Sequence, residues 1–204
     1  MSEPELPAGL DPRCTRRTGT SVIERGLPEL PEVLTYQMSI PVAYWRASAC
    51  AVVLFLRFQP GDGKFWPKVT MGTYFLDGER WSAHRMWTSI GWPHDPIARP
   101  GTMRDLAGQV IGRSGGASTE QPEPGYPAAV VVGRVVPTVT QIALIQDGHE
   151  DRRQLESRFG AWVVCTEKHG PMDVAAFDEH GLMLASLEHP FPLPDSGSGL
   201  SGQL

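Results

Sequence analysis

The chain has 204 residues, 41% of them hydrophobic and 20% charged, enough to bury a core without disulfide or metal staples. Its net charge of −5 excludes a generally basic nucleic-acid-binding surface, although a local basic patch remains compatible with it. The longest apolar run, at 47–56, falls well short of the roughly 20 residues that a membrane helix needs.

The first residues, "MSEPELPAGL", are acidic and carry prolines, unlike a secretory signal. A cytoplasmic location is therefore the expectation. Residues 1–30, with the basic group Arg13, Arg16 and Arg17, read as an irregular arm. An N-terminal antiparallel β unit is expected over 31–111. It opens with "VLTYQMSI" (33–40), which alternates and is rich in β-formers. "ACAVVLFLRF" (49–58) is a continuous apolar run of strand length, closed by the turn cluster "QPGDG".

Next, Asp77-Gly78 between two β-rich runs predicts a hairpin. A two-residue loop there sets Tyr74 opposite Trp81 and Met71 opposite His84. One face then carries Val69, Met71, Phe75, His84 and Met86, and the other Tyr74, Trp81, Ala83, Arg85 and Trp87. The first face is the more aliphatic and is expected to point into the core. After Pro96 the pattern lapses, with a helical turn expected at 102–107 and a short strand at 109–111. Residues 112–127 are rich in Gly, Ser and Pro and read as a linker.

Residues 128–194 read as a small β-sandwich, immunoglobulin-like in architecture only. Its strands are "AAVVVGRVV", "TQIALIQ", "AWVVCTE", "MDVAAFD" and "LMLASLE", with turns at Asp147-Gly148 and "DEHG". The charged segment "HEDRRQLESRF" (149–159) fits a protected edge strand better than a helix with a single apolar pair. Residues 195–204 read as a flexible tail. The fold class expected is thus mostly β, an antiparallel unit followed by a sandwich. "GYPAAVVVGRV", "GAWVVCTE" and "AAFDEHG" resemble a group of uncharacterised proteins from high-GC Gram-positive bacteria, over about 33–194. That resemblance implies no activity, cofactor or catalytic residue.

Motifs for chemistry are sparse. Cys14, Cys50 and Cys165 form no CxxC pair, so neither a zinc knuckle nor a redox motif is signalled. Cys50 and Cys165 lie in apolar runs and read as small buried hydrophobes. "GRSGG" (112–116) matches G-x-S-x-G, with Asp173 and His180 following Ser114 in hydrolase order. A nucleophile elbow needs a helix after the serine, and "ASTEQPEPGYP" cannot supply one. No catalytic residue and no cofactor are therefore expected.

Two binding constellations remain. Tyr74, Trp81, Arg85, Trp87 and Trp92 would form an aromatic face with an arginine, suited to a partner protein or a sugar. Alternatively, His84, His94 and Asp95 would supply three metal ligands, without a fixed ligand spacing to hold them together. The function expected is non-enzymatic: binding a protein partner or a second copy, with neither nucleic acid nor membrane involved. Binding of a small ligand or carbohydrate, or metal-assisted catalysis, at 81–96 is the alternative.

Overall fold

The apolar run at 49–58 becomes the centre of the fold. A computed structural model describes residues 12–92, 95–98, 106, 108–118 and 125–188, with backbone alone at 12–16 and 85–89. The run lies in β2 (Cys50–Gly61), between β1 (Ile40–Arg46) and β3 (Lys64–Asp77), with β4 (Arg80–Gly91) outside β3. All pairings in this sheet are antiparallel. Because successive side chains point to opposite faces, a strand that is apolar at every position must be covered on both sides. Cys50, Val52, Leu54, Leu56 and Phe58 enter the main core, while Ala51, Val53 and Phe55 face the other way.

That second face is covered by the one helix among the described residues, α1 (Pro12–Arg25). Its Val22 and Ile23 are buried against Val53, Phe55, Tyr74 and Trp81. The segment was expected to be an irregular arm. It holds few apolar residues, so its own periodicity is weak, and tertiary packing supplies the stability that local propensity lacks. Gly19 lets the helix backbone approach the sheet, since a Cβ there would stand 1.7 Å from Tyr74 Oη.

The rest of the chain forms two further antiparallel sheets. One has the order β5-β6-β9, from β5 (Ile111–Ser118), β6 (Ala129–Val135) and β9 (Ala161–Thr166). The other has the order β11-β10-β7-β8, from β7 (Gln141–Gln146), β8 (His149–Gln154), β10 (Met172–Phe177) and β11 (Met183–Leu187). The chain is therefore mostly β, as expected. Of the charged segment expected as an edge strand over 149–159, residues 149–154 form one, β8, and 155–159 lie beyond its end.

One core joins both halves of the chain. It draws Val42 and Trp45 from β1, the even-numbered face of β2, Val130 and Val132 from β6, and Trp162 and Val164 from β9. Sheet-to-sheet contact is close enough for Cys50 Sγ and Cys165 Sγ to stand 3.9 Å apart. The sequence left open whether its two expected units share a core, and here they do.

Polar ties reinforce the junction. The Glu167 carboxylate accepts from Ala49 N (2.6 Å), Cys50 N (3.1 Å) and Ser48 Oγ (2.9 and 3.0 Å), holding the end of β9 to the β1–β2 turn. Glu156 accepts from Tyr44 Oη at 2.7 Å and from Leu27 N at 3.2 Å, linking β1 to the chain leaving α1.

Three local expectations need correction. The strand expected at 33–40 begins only at Ile40 and runs on to Arg46. Pro41 does not interrupt the strand, because β1 is a sheet edge and its register shifts between Pro41 and Ala43, where a proline costs little. Residues 112–118, expected as linker, form most of β5, paired to β6. Glycine leaves room there for a neighbouring side chain: a Cβ at Gly115 would stand 2.4 Å from Ile90 Cδ1. The expected strand at 109–111 is represented by Ile111 alone. The helical turn at 102–107, the tail at 195–204 and part of the linker lie outside the described residues.

Candidate functional site

The hairpin expected to carry the site forms, but one step out of register. Gly78 and Glu79 make the turn, so Asp77 pairs Arg80, Leu76 pairs Trp81 and Tyr74 pairs Ala83. Gly78 alone takes a positive φ, of 61°, which places the glycine at the first central position. Tyr74 and Trp81 still share a face, as expected, but are not directly opposed. The register then shifts between Thr73 and Tyr74, leaving His84 as the extra residue of a bulge. Arg85 consequently pairs Thr73 and Trp87 pairs Met71. The simple alternation of Trp81, Ala83, Arg85 and Trp87 does not survive that shift.

The expected aromatic binding face is not open. Tyr74 is fully buried and Trp81 is 8% exposed, both beneath α1. The Arg46 guanidinium lies 5.3 Å from the Trp81 ring centroid and covers its rim. Trp92 is also buried, in the main core, with its N–H donated to Pro67 O at 2.9 Å. The side chains of Arg85 and Trp87 lie outside the described residues.

The metal alternative falls partly outside the described residues. His84 is half-buried, edge-on to Phe75 (6.1 Å) and Tyr126 (4.9 Å). The Asp95 carboxylate organises its own loop. It accepts from Ile97 N at 2.9 Å, Ala98 N at 3.1 Å and Tyr36 Oη at 3.4 Å. His94 lies outside the described residues. Among the described residues no group of three His, Cys, Asp or Glu side chains could share a metal ion. Ser114 sits at a bulge within β5, between Arg113 and Gly115, and not at a strand-to-helix elbow.

What the fold does present is the far end of the β2–β3 hairpin. β1 accompanies β2 only as far as Leu56, and β4 accompanies β3 only as far as Lys68. Beyond those points the β2–β3 ladder continues through Gln59↔Trp66, Pro60↔Phe65 and Gly61↔Lys64, with no further strand paired to it among the described residues. Asp62 and Gly63 close the ribbon with positive φ of 49° and 70°, as a type I′ hairpin turn requires. Pro60 belongs to the cluster "QPGDG" that closes the apolar run in the sequence. Near the free end of a hairpin a proline's missing N–H is readily tolerated.

The ribbon has two distinct faces. Phe65 is stacked on Tyr36, with centroids 4.6 Å apart and planes 5° apart. Tyr36 is in turn edge-on to buried Phe58 at 5.1 Å, so the ring column is rooted in the core. Packing of the phenol, with the Asp95 carboxylate beside it, raises the Tyr36 pKa above its ordinary value. On the opposite face Trp66 lies across Gly61, where a Cβ would stand 3.5 Å from the indole. Alternation puts Lys64, Lys68 and Arg57 on this same face. Arg57 is held by its Nε donating to Ser39 Oγ at 3.1 Å, and burial lowers its pKa. Phe65 is 43% and Trp66 53% exposed, while Tyr74, Trp81 and Trp92 are covered.

A second concave region, of about 300 Å³, lies between β8 and the β1–β2 turn. Several of its charged groups are already engaged. Arg153 Nε donates to Asp151 Oδ1 at 2.8 Å, its guanidinium lies 4.3 Å from the Trp45 centroid, and Glu167 holds the turn. This is a structural tie rather than a site. Among the described residues no helix is long and apolar enough to cross a membrane. Comparison of the chain with protein-family models, with curated proteins and with solved structures gave no match.

Proposed function

We propose that this protein is a non-enzymatic, cytoplasmic binding module that docks a protein partner through the tip of its β2–β3 hairpin. The observation that carries the reading is the exposure of Phe65 and Trp66 on a ribbon extending past its sheet neighbours. Large aromatic side chains on rigid supports are the usual anchors of protein interfaces. The stacked column Phe65–Tyr36–Phe58 supplies such a support, because little side-chain entropy is left to lose on binding.

Charge selects the kind of partner. The chain carries only Lys64, Lys68 and Lys168 as lysines, and two of these flank Trp66. With Arg57 they make a basic face on a protein whose net charge is −5. An acidic surface on a different protein complements it, and another copy of this acidic chain does so less well.

A photo-crosslinking residue placed at position 64 in cells tests the proposal. The expected result is a discrete adduct with another protein, lost in the Trp66→Ala variant and weakened by Lys68→Glu. A control probe at exposed Glu179 should give no such adduct. An adduct pattern unaffected by Trp66→Ala would overturn the reading, and a homodimeric adduct would replace the acidic partner with self-association.

A further inference from the structure

We propose that a cavity beside Arg158 is a binding site for a small apolar carboxylate. The cavity has a volume of about 350 Å³, within the range of pockets that hold small ligands. Leu30, Pro31, Met38, Ile40 and Pro41 make its walls largely apolar. Leu30 is 40% exposed, so the wall has apolar surface left for a ligand to cover.

Arg158 gives the cavity its chemistry. Its backbone is fixed by donation from Arg158 N to Val42 O at 2.7 Å, next to the bridge between Ala43 and Ser157. Its Nη1 donates to Pro41 O at 3.2 Å, which orients the guanidinium. Among the described residues no carboxylate pairs with it. Burial lowers its pKa, with no acidic neighbour offsetting that effect; Glu29 also lines the cavity, yet does not compensate the charge. A half-buried cation without a counter-ion is costly, and an incoming anion relieves the cost.

The anion is a carboxylate on two grounds. A guanidinium fork matches a carboxylate with two parallel hydrogen bonds. A phosphate carries close to two negative charges and would need more than this lone cation. The apolar walls then take a short aliphatic or aromatic tail.

Titration of the full-length chain with octanoate, and in parallel with octan-1-ol, tests the assignment. Octanoate should bind saturably at one site, at least tenfold more tightly than the alcohol. Arg158→Gln should weaken octanoate about tenfold to hundredfold, the worth of a charge-assisted hydrogen bond, and leave octan-1-ol unchanged. Met38→Trp, which fills the cavity without touching the charge, should abolish binding of both. Should Arg158→Gln fail to fold, unimpaired octanoate binding by Met38→Trp refutes the site by itself. Equal affinity for acid and alcohol, or no saturable octanoate binding, overturns the proposal. Trp66→Ala should leave octanoate binding intact, so this site stands or falls separately from the hairpin.

Discussion

Replacing Gly19 with alanine tests the packing of α1 on the first sheet. In an exposed helix interior this change is favourable by about 1 kcal/mol. Here the new Cβ would stand 1.7 Å from Tyr74 Oη and 2.2 Å from Cζ, whereas ordinary contact begins at 3.4 Å. Tyr74 is fully buried in the sheet and has no free direction of retreat. The helix must therefore lift, and a gap of even ~1 Å forfeits up to half of each contact's attraction. Burial of a side chain such as Val22 or Ile23 contributes about 1.5–3 kcal/mol as an upper estimate. Losing half of that for both, less the propensity gain, leaves a net destabilisation of roughly 0.5–2 kcal/mol. Urea unfolding of wild type, Gly19→Ala, Tyr74→Leu and the double variant measures it. Tyr74→Leu removes the hydroxyl and the ring edge, so Gly19→Ala should turn stabilising in that background. If Gly19→Ala stabilises the wild-type protein, or acts equally in both backgrounds, α1 does not pack as described.

Further outcomes follow from the same geometry. Glu167→Ala strands the Ala49 and Cys50 N–H groups and should cost about 2–3 kcal/mol in chemical denaturation; Ser48→Ala, which leaves both N–H bonds in place, should cost clearly less. Burial, then the hydrogen bond to Glu156, pushes the Tyr44 phenol up from 10.0 to about 12. The unfolded chain thus loses this proton first, and Tyr44 contributes stability that is full below pH 10 and lost as pH rises toward about 12. Tyr44→Phe should remove that component, so the wild-type advantage over the variant should shrink across this window; a constant difference would contradict it. Cys50 and Cys165 are fully buried, and their mutual hydrogen bond, with burial, holds the Cys165 thiol well above its ordinary range. Alkylation at these two residues, followed by mass spectrometry, should therefore track unfolding in urea rather than the reagent's intrinsic rate.

The candidate site was the least legible part of the chain. Aromatic density drew attention to 81–96, yet Trp81 and Trp92 are core residues and Tyr74 is roofed by a helix. Phe65 and Trp66 follow a plain Asp-Gly turn and are bracketed by prolines, which read as an end of structure. Their exposure depends on where β1 and β4 stop, which neither residue encodes. Arg158 was likewise invisible, since its cavity is closed by residues more than a hundred positions earlier in the chain.

By itself the sequence determined the secondary-structure class, the strands of the C-terminal half, its Asp147-Gly148 turn and the charged edge strand at 149–154. Each of these rests on local physics: alternation, turn stereochemistry and the cost of burying charge. The tertiary structure alone decided that residues 12–25 are helical, that the glycine-rich stretch is a strand, and that both halves share one core. In these the stabilising partner lies far away in the chain. Val22 needs Phe55 and Trp81 to be buried, β5 needs β6, and β2 needs β9. A periodicity read along the chain carries no record of what lies across the contact.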